Sequence, residues 1–367
     1  MQVQFTIIII TYNRYPFLLR LLKYFNSYDI PFKLLILDSS SDKLEDEELI
    51  KLLSQKNVIH KLFDSDIFFV NKIAKGCEFI DTEYAVICAD DDFIIPGSIV
   101  ECIEFLKNNP EFSSAQGINY SFNFTERSNS RFSLMLANQW DIYGKQNSGK
   151  ERASYYLAKQ PPYNPFYAVH KADVFSLIWS ESTKYVDDWG LSELFPCALS
   201  LVYGKMEVLP CFYTAREASF HKAFDVDRIK KMYSEDKIKN FIEGIAYHIN
   251  KVENLSINEA KFLIGNSFDE FIFHQSENWK RKQLASSKNN LLLYRIRQKV
   301  RLRSRIKILF KYFNKLIFSR TIKLQDIKDH PSSLSPKYFS DYEKVRQAVI
   351  SAGCTYEQLI RSRKDID

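Results

Sequence analysis

The stretch YAVICADDDF, Tyr84 to Phe93, decides the fold. Tyr84 to Cys88 is short, apolar and partly β-branched, which reads as a buried strand. It runs directly into Asp90, Asp91 and Asp92. Three adjacent carboxylates repel one another, and beside a core they are expensive unless a cation sits among them. In open α/β sheets, ligands bind just beyond the carboxyl ends of the strands. Hard oxygen donors at such a place suit Mg²⁺ or Mn²⁺, and either ion can hold a diphosphate. Taken alone, the triplet also fits a solvated acidic turn ahead of the helix that starts near Pro96.

The residues upstream repeat the pattern. FTIIII, Phe5 to Ile10, is a continuous apolar run, as a strand buried on both faces should be. It stops at Thr11-Tyr12-Asn13-Arg14. Pro16 then suits the first turn of a helix whose apolar stripe is Leu18, Leu19, Leu21, Leu22 and Phe25. A second strand, Phe32 to Leu37, leads into Asp38 and three serines. A helix from Leu44 to Leu53, a strand from Val58 to Leu62 and a helix from Phe69 to Ile80 complete the approach to Tyr84. Strands alternating with helices predict a mostly parallel, doubly wound sheet. Thr11, Asn13, Asp38 and the triplet then share one edge of it. Each could be a helix cap or turn residue, but three strand ends converging on polar groups point to a site.

TIIIITYNR, LLILDSSSD and ICADDDF together resemble the nucleotide-binding half of family 2 glycosyltransferases with the GT-A fold. The resemblance implies a nucleotide-sugar donor, a UDP-sugar above others, with Thr11, Tyr12, Asn13 and Arg14 along the nucleotide. By the same resemblance Asp38 hydrogen-bonds the base, Asp90 faces the ribose, Asp91 is a further donor-binding candidate, and Asp92 with Asp90 ligates Mn²⁺ or Mg²⁺ on the diphosphate. The helix that precedes the metal strand in the family is similar to VNKIAKGCEFI, with Asn71, Lys75 and Gly76 in matching places and no arginine.

Downstream, a helix from Gly97 to Asn108 and a strand from Ser113 to Gly117 are followed by a polar, aromatic stretch. It covers Asn119 to Lys150 and reads as an irregular insertion, a common form for functional loops. A strand from Phe166 to Val169 and a helix from Ala172 to Trp179 lead to KYVDDWGLSELF. In the resembled family an acid pair and an aromatic open a helix there, and the second acid is the base of inverting members. That implies Asp188 as catalytic base beside Asp187, with Glu193 as the alternative. Both aspartates also suit plain helix capping. After a strand near Lys205 to Leu209, Arg216, His221 and Lys222 are candidates for the diphosphate, and His221 for the metal shell.

Composition bounds the rest. The 367 residues leave room for a catalytic domain over residues 1–225 and a helical, basic extension over 226–367. Six dispersed cysteines without a Cys-x-x-Cys pair argue against a disulfide framework or zinc site and for a cytoplasmic place. No stretch approaches the roughly 20 apolar residues of a membrane span. Lys288 to Lys323 holds twelve Lys/Arg and no Asp/Glu, while the whole chain carries only +6, so the basic excess is local. Its apolar positions at Leu302, Ile306, Leu309, Phe313 and Leu316 suit an amphipathic helix on the anionic inner face of a membrane, or a solvated face of a helical bundle. No nucleic-acid-binding motif is visible.

The function implied is a metal-dependent, inverting glycosyltransferase acting on a glycan or lipid-linked glycan in bacterial surface-polysaccharide synthesis. A sugar nucleotidyltransferase is the enzyme alternative, although TYNRYP lacks the glycine-rich loop such enzymes place after the first strand. An inactive binding protein on the same fold is the other.

Overall fold

The computed structural model describes residues 5–125, 131–136, 144–158, 164–217, 234–274 and 334–352. Four parallel strands form its spine: β1 (Phe5–Thr11), β2 (Lys33–Asp38), β3 (Val58–Leu62) and β4 (Tyr84–Ala89), in the order β3-β2-β1-β4. Register sets Thr11 opposite Asp38, and Ile10 opposite Ala89. The residues that end β1, β2 and β4 are therefore neighbours at one edge, as the alternation of elements predicts.

Beyond β4 the sheet is mixed. β8 (Val169–Lys171) runs antiparallel to β4 and to β6 (Phe112–Thr125), and β9 (Lys205–Glu217) runs parallel to β6. The two-residue β5 (Phe93–Ile94), just after the acidic triplet, pairs antiparallel with Ala215 and Thr214 of β9. β7 (Arg131–Leu136) lies on β6. Two expectations are corrected here. Part of the stretch expected to be irregular, Asn119 to Lys150, belongs to β6, β7 and the helix α5 (Gly149–Ala158). Phe122 and Phe132 stack at 5.6 Å across the β6–β7 pair, so aromatics read as loop residues are cross-strand partners. The strand expected over Phe166 to Val169 is a 3₁₀ turn, Asn164–Tyr167, ahead of β8.

Alternate strand residues face opposite sides. Ile7, Ile9, Leu34, Ile36 and Val86 join a core under α1 (Tyr15–Phe25), α2 (Glu47–Leu53) and α4 (Pro96–Asn108). Ile8, Leu35, Leu37, Ala85 and Ile87 join another, under α3 (Phe69–Gly76), α5, α6 (Ala172–Tyr185) and α7 (Leu191–Tyr203). α2 begins later than Leu44 because Asp46 accepts the Leu49 N–H at 2.8 Å and caps it. The helix Glu235–Val252 and the helix over residues 257–274 add Phe241, Ile245, Ile264 and Phe268 to the second core. The helix Phe339–Ser351 adds Tyr342, Val345 and Val349 to the first. No described helix is long and apolar enough to cross a membrane. Cys77, Cys88, Cys102, Cys197 and Cys211 are free thiols. The basic stretch Lys288 to Lys323, His221 and Lys222 lie outside the described residues.

Candidate active site

The end of β1 is fixed by Asn13. Its backbone is left-handed, with φ 50°, a conformation asparagine tolerates better than most residues. Its Oδ1 accepts the Ser41 and Asp42 N–H groups, and its own N–H donates to Ser40 Oγ at 2.8 Å, which staples the loop after β2 to the end of β1. Asp38 completes the staple from within. It is fully buried, accepts the Ser40 N–H at 2.8 Å, and meets His60 Nε2 at 3.0 Å and the Tyr15 hydroxyl at 3.2 Å. Burial pushes its pKa up, but the hydrogen bonds from His60 and Ser40 outweigh that and hold it below the usual carboxylate range.

The three aspartates have different environments. Asp90 is buried; it accepts the Thr11 hydroxyl at 2.8 Å and pairs with Arg14 at 3.1 Å. Burial raises its pKa to about 6 against the pull of Arg14. Asp91 is the partly exposed member and shares Arg14. Asp92 is turned inward. Its Oδ2 accepts the Tyr167 hydroxyl at 3.1 Å and Arg216 Nε at 3.0 Å, and its Oδ1 accepts the Glu217 N–H at 2.9 Å. The β5–β9 pairing delivers Arg216 and Glu217 to that position. Both oxygens of the carboxylate expected to hold a metal are thus engaged within the protein. Arg216 lies over the Tyr167 ring, 4.4 Å from its centroid, and so serves Asp92.

A pocket of about 310 Å³ opens at this edge. Its walls include the run from Ile10 to Arg14, Asp90, Tyr167, Trp189 and Glu193. Lys72 also lines it, and this residue was missed by sequence reading. Asn71 and Lys75, favoured by the resemblance, are exposed on α3, whereas Lys72 is 4% exposed. Phe69, Lys72, Ile73 and Gly76 share the inward face of α3 at spacings of three and four. Lys72 Nζ donates to the Thr11 carbonyl at 2.9 Å and to Ser39 Oγ at 2.8 Å, and burial lowers its pKa to about 8.

Asp188 lies behind the pocket wall formed by Trp189 and Glu193; its Oδ1 accepts the Gly190 and Leu191 N–H groups, each at 2.9 Å, and so caps α7. Its Oδ2 is buried without a hydrogen-bond partner. Asp187 is exposed and pairs with Lys237 at 3.3 Å. Glu193, one turn along α7, faces the pocket, and burial raises its pKa.

Among the described residues no three His, Cys, Asp or Glu side chains gather closely enough to hold a metal ion. A Mg²⁺-like ion usually takes one or two protein carboxylates and completes its shell with substrate phosphates and water. Asp91, partly exposed and paired with Arg14 through one oxygen, fits that limited demand; Asp90, with Oδ2 taken by Thr11 and Oδ1 by Arg14, is engaged as Asp92 is.

Residues 6–164 match the family model for glycosyl transferase family 2. No curated protein matches the sequence. Among solved structures, a fragment of TarS from S. aureus, residues 1–349 in complex with UDP-GlcNAc, is similar in fold. The TM-score is 0.51 at 12% identity, over 73% of this chain and 72% of that one. The same fragment in complex with UDP gives a TM-score of 0.49 at 13% identity, over 74% and 71%. The family match lies over the strands that carry the acidic edge, so residues 6–164 carry a glycosyl transferase family 2 domain.

Proposed function

We propose that the chain moves a sugar from a nucleoside diphosphate sugar, a UDP-sugar first, to a hydroxyl of a glycan or lipid-linked glycan in bacterial surface-polysaccharide synthesis. The observation that carries this reading is the pocket where Thr11 to Arg14, Lys72 and Asp90 converge at the carboxyl ends of β1 and β4. A nucleotide diphosphate needs cationic groups along its phosphates and a polar strand end for its nucleoside, and this edge offers both. The TarS fragment, seen with UDP-GlcNAc, makes that compound the first donor to try. Residues 1–225 form the catalytic part in this reading, and the helices after them an extension.

Transfer requires the acceptor hydroxyl to lose its proton as its oxygen attacks the anomeric carbon. In this reading Asp188 accepts that proton: Oδ1 is fixed by two backbone donors, and the buried Oδ2, behind the pocket wall, has no partner and becomes the acceptor once the substrate hydroxyl reaches it. Attack from the side opposite the leaving diphosphate inverts the anomeric centre. Glu193 lines the pocket itself, with a raised pKa, and is the alternative base. Arg14 and Lys72 hold positive charge where the diphosphate's charge grows. Asp91, with Asp90 once Arg14 turns to the diphosphate, would hold Mn²⁺ or Mg²⁺, which neutralises the leaving group when bound. The basic stretch Lys288 to Lys323 suits an anionic membrane surface at about 1 kcal/mol per residue, which salt-sensitive co-sedimentation with anionic vesicles checks.

Calorimetric titration with UDP and UDP-sugars, with and without Mn²⁺, tests the donor reading. Saturable binding is expected, with Asp91→Asn losing its Mn²⁺-dependent part. Absence of binding by every nucleotide sugar overturns it.

A further inference from the structure

Trp189 is 67% exposed, although tryptophan is costly to leave in water. Single exposed apolar side chains are common and need no function. This one differs in being held in place. One face lies against Phe69, with centroids 5.0 Å apart and planes 20° from parallel, and Phe68 meets it edge-on at 5.5 Å. Phe69 is itself buried and packs on Trp179. Among the described residues Phe68 and Phe69 are the only rings on it. The indole is therefore a fixed plate with its second face open, and it forms part of the pocket wall with Glu193 and Lys72.

A rigid aromatic plate beside a carboxylate and an ammonium matches a particular ligand shape. A pyranose has an apolar face of C–H groups and a rim of hydroxyls. The face packs on an aromatic ring, and the rim hydrogen-bonds to charged groups around it. A protein partner would need about 800 Å² of surface, far more than a single pocket wall supplies. We infer that Trp189 is a stacking platform for a pyranose ring at the candidate site. Trp189 shares the pocket wall with Glu193, one of the two candidate bases, so the ring held there is placed for the sugar whose hydroxyl reacts; the donor's own sugar is the second source of the same chemistry. This inference rests on the glycosyl-transfer reading of the pocket.

The test uses the full chain and its Trp189→Ala and Trp189→Phe variants in three binding arms: UDP, UDP-GlcNAc, and a panel of methyl pyranosides added with UDP. Sorbitol, which has hydroxyls but no ring, serves as control. Trp189→Ala should leave UDP affinity unchanged and weaken one ring-bearing arm about tenfold, within the range of aromatic contacts. Loss confined to methyl pyranosides assigns the ring to the acceptor; loss confined to UDP-GlcNAc relative to UDP assigns it to the donor. Trp189→Phe should keep most of the affinity, and sorbitol should not bind. The inference is overturned if Trp189→Ala weakens UDP equally, which marks a nucleobase platform, or if neither ring-bearing arm depends on residue 189. A wild-type chain that binds neither UDP nor UDP-GlcNAc sinks the donor reading instead. A pyranoside still bound, and lost in Trp189→Ala, would then leave the platform standing.

Discussion

Lys72 puts a buried amine between the ends of β1 and β2, and its titration makes it testable. Its ordinary pKa is 10.5, and burial lowers it to about 8 in the folded chain. Between those values the unfolded chain binds more protons than the folded one, so this group makes stability rise with pH through that window. Lys72→Met should remove that rise, seen as a smaller gain in the urea midpoint between pH 8 and pH 10 than wild type shows. Donor affinity should fall as wild type is taken above about pH 8, where the charge is lost, and Lys72→Met should bind donor weakly at every pH. An unchanged donor affinity in that variant would remove Lys72 from the site. The acidic triplet and the polar end of β1 were legible because strand ends carry their own signature. Lys72 was obscured by one residue of helical phase: VNKIAKG shows three polar candidates, and only packing against Leu37 and its neighbours tells which faces inward. The engagement of Asp92 was not legible, because its partners Tyr167, Arg216 and Glu217 are far away in the chain.

At the scale of elements, the alternating half of the sheet was readable and the mixed half was not. β1 to β4 are continuous apolar runs with helices between them, a local signal. β6 and β7 alternate aromatic and polar residues such as Phe122, Asn123 and Phe124, which resembles a polar insertion until the pairing partner is known. The 3₁₀ turn Asn164–Tyr167 was read as a strand because Phe166, Tyr167, Ala168 and Val169 are all buried. That turn clamps the site. The Tyr167 hydroxyl donates to Asp92, and its carbonyl accepts the Tyr213 hydroxyl at 2.6 Å. Tyr167→Phe should lower stability by about 1–3 kcal/mol, measured by urea unfolding, because a buried carboxylate loses a donor. No loss of stability would mean that Arg216 and the Glu217 N–H satisfy Asp92 alone.

Across the whole molecule, the helices after residue 234 are built into the cores. Phe241 is fully buried, with Phe195 at 5.6 Å and Phe268 at 5.2 Å. Phe241→Ala should cost about 3–5 kcal/mol in global unfolding. It should do so in one transition with the catalytic part; a separate early transition would show that these helices melt alone. The helical spacing of Phe241, Ile245 and Ile249 was visible in sequence, but the surface they cover was not, since it is built from α6 and α7.

The most direct measurement follows product release from UDP-sugars by wild type, Asp188→Asn and Glu193→Gln, with UDP binding recorded for each. Wild type should release UDP and transfer sugar. Asp188→Asn should lose about 10²–10⁴-fold in rate, the usual contribution of a general base, while binding UDP normally. Glu193→Gln should be milder. A dead Glu193→Gln beside an active Asp188→Asn would move the base one turn along α7, and a wild-type chain that turns over no nucleotide sugar would contradict glycosyl transfer at this pocket.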